Sequence, residues 1–454
     1  MGVDTKHPQY IDAEPIWERL LHTFEGQDVI KDQSIVYLRP TDSMTKRGAL
    51  SKQGDGWDEY LRYKERAQFP EFVSEAIGHL LGVMHRKEPE ITLPAKMESL
   101  RENASPDGSG LEALLRRINK NQILYGRYGL LLDISEDNPV PYIVGYIARD
   151  IINWDSDRSL VVLDESSQER DNFEWKDIEQ YLVLELEDGE YKVATHRIGD
   201  EDLPPEVTPM LQGKPFDQIP FVFVNAGDLT TDIDKSPMEP LSNQTLNIYR
   251  GEADYRQGLH MQGQSTLVII GVDDDDAEVE VGAGAVIYTP TDAKFIGVDP
   301  TGLPEMRQSV ENDRSVAVSM GAKLLDPDNE GSRASGDALR TRVSAHTANL
   351  ARIALTGAEA LQDILRMAAV AMGEDPEEVK VEPNIDFVDS GMSGKDLADL
   401  MLSKSMGAPL SQASIHKKMA QGDLTTLTFE EEQALVEEDG VLPGNEEESN
   451  ADNE

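Results

Sequence analysis

Apolar positions in the first half of the chain alternate between helical and strand spacing. Between Glu59 and Met84 the apolar residues Phe72, Ala76, Leu80 and Met84 recur every four positions, and Pro70 interrupts the pattern. Asp107-Gly-Ser-Gly110 predicts a turn, Leu111 to about Leu124 an amphipathic helix, and Tyr128–Ile134 a strand. Val140–Ile147, Ser159–Leu163, Tyr181–Leu186 and Tyr191–Arg197 alternate or are β-branched and predict further strands. Asp188-Gly189 between the last two marks a hairpin turn. Thr208–Pro220 has the composition of a linker, and Phe221–Asn225 reads as a strand.

After Ser236-Pro237 the pattern becomes helical. Pro240 suits a helix start, and Leu241 to about Met261 predicts one helix. Two short strands follow, Ser265–Gly271 and Gly284–Thr289, separated by Asp273–Asp276. A second helix spans Leu303–Leu325, and the polar loop Asp326–Gly336 leads into a third, Asp337–Met372. Leu339, Val343, Leu350, Ile353, Leu361, Ile364 and Ala368 keep a helical period there, so the element is long enough to cross a whole domain. Shorter helices follow, with Ser393-x-x-Asp396 and Thr428-x-x-Glu431 as capping boxes. Beyond Glu438 periodicity ends, which predicts a disordered acidic tail over 439–454. The expected fold class is α+β.

Composition narrows the function classes. A chain of 454 residues has room for about three domains. The absence of cysteine excludes disulfides, a thiolate nucleophile and a zinc ribbon. No apolar run is of membrane-spanning length, and the N-terminus lacks an apolar signal core, so the expectation is a soluble intracellular protein. The formal net charge of −44 argues against tight wrapping of nucleic acid. That charge is uneven: residues 1–235 carry −19 and Glu430–Glu454 carries −11, whereas Gly302–Gly373 carries only −1.

Motifs for bond chemistry are missing or incomplete. Gly213-Lys214 and Gly394-Lys395 lack the glycine and hydroxyl residues of a phosphate-binding loop. Gly282-Ala-Gly284 lacks the third glycine of a dinucleotide fingerprint, where Ile287 stands. His79 and His85 lie six apart, predict different helix faces and read as surface residues. Asp326, Asp328, Glu330 and Asp337 imitate calcium-loop spacing, but Pro327 and Arg333 break the pattern and favour a solvated loop. Asp273, Asp274, Asp275 and Asp276 point alternately in opposite directions, which suits an acidic turn or partner surface better than a convergent Mg²⁺ site.

Five blocks, taken in order, carry a resemblance. They are Tyr63-x-x-Arg66-Ala-x-Phe69-Pro70 leading to Gly82–Pro89; Leu124-Tyr-Gly-Arg-Tyr-Gly-Leu-Leu-Leu-Asp133; Tyr146–Trp154; Ile248–His260; and Met320-Gly-Ala-Lys-Leu-Leu325. Over about residues 55–435 the chain resembles the portal proteins, the head-to-tail connectors of tailed bacteriophages.

That resemblance implies a ring, typically of twelve subunits, at one capsid vertex. A wing would span residues 1–235, stem helices 236–261 and 302–325, and a clip 262–301 between them. The tunnel loop would be 326–336, the long wing helix with its return segment 337–390, and the crown 391–438. Loop residues Asp326, Asp328, Asn329, Glu330, Ser332, Arg333 and Ser335 would face passing double-stranded DNA without sequence preference, with Arg333 touching phosphate. Clip residues Asp273–Asp276 would face the terminase large subunit or a head–tail adaptor, and the major capsid protein would surround the ring. The protein would reside in the virion, and in the host cytoplasm during assembly. No catalytic residue, cofactor or metal is implied. Two alternatives stay open on the residues alone: an acidic Mg²⁺-dependent phosphoryl-transfer enzyme using Asp273–Asp276, and an acidic cytosolic scaffold without DNA.

Overall fold

The computed structural model describes residues 2–135, 138–199, 205–211, 214–263, 266–270, 286–289, 293–296, 300–322, 336–385, 387, 394–421, 425 and 427–438. Met1–Ile385 forms one compact unit and Asp386–Glu454 a second. The fold is α+β.

The first unit begins with helices that the apolar pattern did not single out. α1 (Pro8–Glu25), α2 (Gln27–Asp32) and α3 (Asp42–Lys46) precede α4 (Gly54–Arg66) and α5 (Phe72–Met84). α1 buries Tyr10, Trp17 and Leu20, so the front of the chain is part of the body. Pro70 separates α4 from α5, as its missing N–H and fixed φ dictate. β1 (Glu90–Thr92), α6 (Ser99–Glu102) and α7 (Leu111–Tyr125) lead into β2 (Arg127–Ser135) and β3 (Asn138–Ile147). β4 (Ile151–Trp154), β5 (Leu160–Asp164), β6 (Ser167–Asp171), β7 (Glu174–Ile178), β8 (Gln180–Glu187) and β9 (Glu190–Arg197) follow. β8 and β9 meet at the expected hairpin, where Asp188 and Gly189 both take positive φ. β10 (Met210–Leu211), β11 (Lys214–Pro215) and β12 (Phe221–Asn225) complete this half. The expected linker 208–220 is therefore tied down: β10 pairs with β11, and Phe216 and Ile219 are buried.

The second half matches its helical pattern closely. α8 (Glu239–Gln262) precedes β13 (Thr266–Ile270), β14 (Val286–Thr289) and β15 (Ala293–Ile296), and α9 (Leu303–Ala322) follows them. β15 adds a third strand to the two expected, pairing antiparallel with β13 while β14 pairs parallel with it. α10 (Gly336–Met372) has 37 residues and is about 55 Å long. β16 (Lys380–Glu382) returns the chain to pair with β1. In the second unit lie α11 (Gly394–Ser405), α12 (Gln412–Gln421) and α13 (Phe429–Glu438). At the start of α13 the expected capping box forms: Thr428 N–H donates to Glu431 Oε2 at 2.9 Å, and Glu431 N–H donates to Thr428 Oγ1 at 3.3 Å. The tail 439–454 and Ser393 lie outside the described residues.

The main core forms where α7 and α10 cover one face of the antiparallel sheet β12-β2-β3. Period-two alternation sends Tyr128, Leu130 and Leu132 from β2 and Val222 and Val224 from β12 to that face. α10 meets them with Ala358, Leu361, Ile364, Leu365, Ala368 and Ala369. At Gly357 the helix comes so close to α7 that a Cβ would lie 2.5 Å from Asn119 Nδ2 and 2.7 Å from Gln122 Oε1. Those amides are buried and linked: Asn119 Nδ2 donates to Gln122 Oε1 at 2.9 Å, and Gln122 Nε2 donates to the Asn225 carbonyl at 2.8 Å. His85, expected on the helix surface, is only partly exposed at the end of α5, and burial lowers its pKa.

Gly357→Ala gains about 1 kcal/mol of helix propensity but must part this buried amide chain, which costs roughly 2–3 kcal/mol. The expected outcome is a net loss of stability, read as a lower urea midpoint with an unchanged slope.

Candidate assembly site

α8 and α9 lie side by side and antiparallel. Gly258 faces Leu303 and Gly251 faces Val310, and a Cβ at Gly258 would stand 2.7 Å from the Leu303 side chain. Polar contacts fix the register. Gln244 Nε2 donates to the Asp313 carbonyl at 3.2 Å and to its Oδ1 at 3.0 Å. Glu252 is buried within the pair, its Oε1 2.5 Å from Arg256 Nε and its Oε2 3.5 Å from Arg314 Nη2. A buried carboxylate is tolerated here because two guanidiniums meet it.

The body anchors this pair through α4. Tyr63 OH donates to Asp254 Oδ1 at 2.6 Å, Arg66 Nη2 donates to Gln257 Oε1, and Arg256 Nη2 donates to Gln68 Oε1 at 2.7 Å. Burial, and then the bond to Asp254, raises the Tyr63 pKa. Phe69 packs edge-on against Tyr249 with ring centroids 5.7 Å apart. Together with Tyr60, Leu246 and Ala253 these residues form a second core. Thus the first sequence block, around Tyr63, meets the fourth, around Tyr249.

The second and third blocks also meet. Arg127 is wholly buried, its guanidinium 4.3 Å from the centre of the Trp154 ring and 4.7 Å from that of Phe223. Its Nη1 donates to the carbonyls of Thr231 at 2.9 Å and Asp232 at 3.2 Å. Burial lowers its pKa to about 9. Of the fifth block only 320–322 lie among the described residues.

On α9 the buried residues are Leu303, Val310 and Ala317, one stripe at seven-residue spacing. Met306, Val316 and Val318 stand outside it, exposed, as do Leu259 and Met261 at the end of α8. An open groove of about 600 Å³ lies there, lined by Tyr255, Leu259, Gln262, Leu303, Pro304 and Arg307. The acidic residues Asp273, Asp274, Asp275 and Asp276 lie outside the described residues. So do Asp326, Asp328, Asn329, Glu330, Ser332, Arg333 and Ser335. Among the described residues, no group of three or more His, Asp or Glu side chains could hold a metal ion. No described helix is long and apolar enough to cross a membrane. Sequence reasoning singled out neither Glu252 nor Arg127 as a buried charge, although both lie inside the blocks it named.

The third block contains one titratable weak point. Burial raises the Asp150 pKa to about 6, against an ordinary 3.8. The raised value means that ionisation opposes folding: stability is full below about pH 4 and falls as pH rises toward 6. Asp150→Asn should therefore raise stability at pH 7.5 by about 1–3 kcal/mol, at about 1.4 kcal/mol per pKa unit. Thermal melts should show that gain vanishing below pH 4.

Residues 237–371, from the start of α8 almost to the end of α10, match a sequence family described as "Domain of unknown function (DUF4055)". No curated protein matches the chain. Among solved structures, the chain is similar to one described as "Neck of native GTA particle computed with C12 symmetry". It shares 12% identity with it over 77% of this chain and 89% of that one, with a TM-score of 0.35. It is also similar to "Neck of empty GTA particle computed with C6 symmetry", at 13% identity over 78% and 90%, with a TM-score of 0.39. A third, "Virion of native gene transfer agent (GTA) particle", shares 13% identity over 77% and 89%, with a TM-score of 0.38.

Proposed function

We propose that this chain is a portal subunit: a structural protein of a tailed-phage-type particle that closes into a ring around a DNA channel at one capsid vertex. The observation that carries the reading is the spatial pairing of the blocks that resemble portal proteins. The Tyr63 block braces the Tyr249 block, and the Arg127 block packs on the Trp154 block. The element order supports it as well. An antiparallel helix pair with a small sheet between its members in the chain, followed by a very long helix against a mixed body, matches stem, clip and wing.

In this reading α8 and α9 are the stem, and the apolar side chains outside their shared stripe meet neighbouring subunits. The segment 262–301 is the clip, and Asp273–Asp276 present negative charge to a terminase or adaptor. The loop 326–336 faces the channel. A near-neutral wall suits a conduit, because strong cationic contacts would hold phosphates in place. Arg333 touches phosphate in passing, and Asp326, Asp328 and Glu330 prevent lasting capture. The protein makes and breaks no bonds; the terminase supplies the work. Its place is the virion, reached by assembly in the host cytoplasm.

Electron microscopy and native mass spectrometry of the purified chain should show closed rings with a central channel. Monomers persisting at high concentration in 1 M salt, where the screening length is about 3 Å, would overturn the reading.

Arg333→Ala should lower the DNA packaged or retained per particle, while rings still form and the terminase hydrolyses ATP at its usual rate. Normal packaging and retention would remove the loop from the channel's function.

A further inference from the structure

β6 and β7 form a two-stranded ribbon that belongs to neither core. Every strand residue is exposed except Ile178, which is partly covered. The turn is Asn172-Phe173, with Asn172 at φ 58°. Phe173 at the tip is 99% exposed, and Trp175 beside it is 64% exposed. A lone ribbon of two strands is marginally stable in water, and nothing in its own packing calls for two aromatic rings at its end. Aromatic side chains are, however, the residues that most often anchor protein interfaces.

Charge says what kind of surface would receive them. The twelve residues from Ser167 to Ile178 include four acidic and two basic side chains. Asp171 stands directly opposite Glu174, flanking the turn. Like charges in facing positions destabilise a strand pair. Lys176 offsets part of this, its Nζ 2.5 Å from Asp171 Oδ2, but Glu174 has no such partner among the described contacts. The ribbon is therefore an aromatic-tipped arm of net charge −2, with Glu174 beside the tip and Arg170 opposite Trp175. A second copy of a chain carrying −44 is a poor acceptor for it.

We propose that the β6–β7 ribbon is a docking finger for a different protein, not for a second copy of this chain. Its Phe173 and Trp175 enter an apolar pocket rimmed by lysine or arginine. A basic group at that rim neutralises Glu174, and another can lie over the Trp175 ring. The inference rests on the portal reading only for the choice of candidate partners.

Trp175 makes the test direct. Of the four tryptophans, Trp17 and Trp154 are buried and Trp57 is partly covered, stacked on Tyr60. The chain is labelled with 5-fluorotryptophan, and its ¹⁹F spectrum is followed alone at rising concentration. The spectrum is then followed with the unlabelled coat protein, head–tail adaptor or terminase large subunit encoded in the same genome. Trp175→Phe assigns the signal. The expected result is that one of these proteins, and not self-association, shifts the Trp175 resonance. Phe173→Ser and Glu174→Lys should each weaken that protein's binding at least tenfold, with rings unchanged by microscopy. A Trp175 signal that shifts on ring formation alone would assign the finger to a second copy and overturn the proposal. So would a signal that none of the three proteins moves, or binding indifferent to both substitutions. If rings never form but one partner still protects Trp175, the portal reading fails and the finger stands.

Discussion

The approach of α10 to α7 sets the geometry of the main body. Two helices and a three-stranded sheet share one core, and the helices can come together only because Gly357 presents no side chain to the Asn119–Gln122 pair. Alanines at 358, 360, 368 and 369 keep the rest of α10 close to its neighbours, where larger residues would hold it away. Gln122 then reaches the Asn225 carbonyl, which ties this helix contact to β12. The chain from β12 to α8 thereby inherits a fixed starting point.

A second principle is that charges are buried where they join elements distant in sequence. Arg127 on β2 reaches two carbonyls in the segment after β12 and lies against rings from β4 and β12. Glu252 on α8 binds Arg314 on α9 across 62 positions of sequence. Each buried charge is costly to desolvate; Glu252 is met by two guanidiniums, and Arg127 by two carbonyls and two ring faces. Such contacts penalise any packing that misplaces them, and they fix how the helix pair meets the body. The polar strut from Tyr63, Arg66 and Gln68 to α8 serves the same end from the other side.

Surface charge and surface apolarity divide the outside into distinct regions. The excess of acidic over basic residues makes copies of the chain repel one another. The exposed Met306, Val316 and Val318 of α9 and the aromatic tip of the ribbon interrupt that acidic surface at separate places. One lies on helices of the second half of the chain and the other on strands of the first.

Local pattern alone determined the element types: the α8 and α9 helices, the length of α10, the Asp188-Gly189 hairpin and the Thr428 cap. Period, turn residues and caps act over a few positions, so they are legible without the fold. The α+β class followed from their order. Ordered blocks also pointed to a family resemblance, while the loop and acidic residues chosen as sites came from that resemblance and from charge, not from contacts. The tertiary structure decided what depends on distant partners. α1 forms part of the body because Tyr10, Trp17 and Leu20 find cover that a weak apolar period does not announce. Phe216 and Ile219 turn a linker composition into packed chain, and β15 gains its place by pairing with β13. His85 loses solvent to neighbours on another helix. Arg127 and Glu252 become buried charges only when their partners arrive. Burial and pairing are properties of three-dimensional neighbourhoods, and no window of sequence contains both members of such a pair.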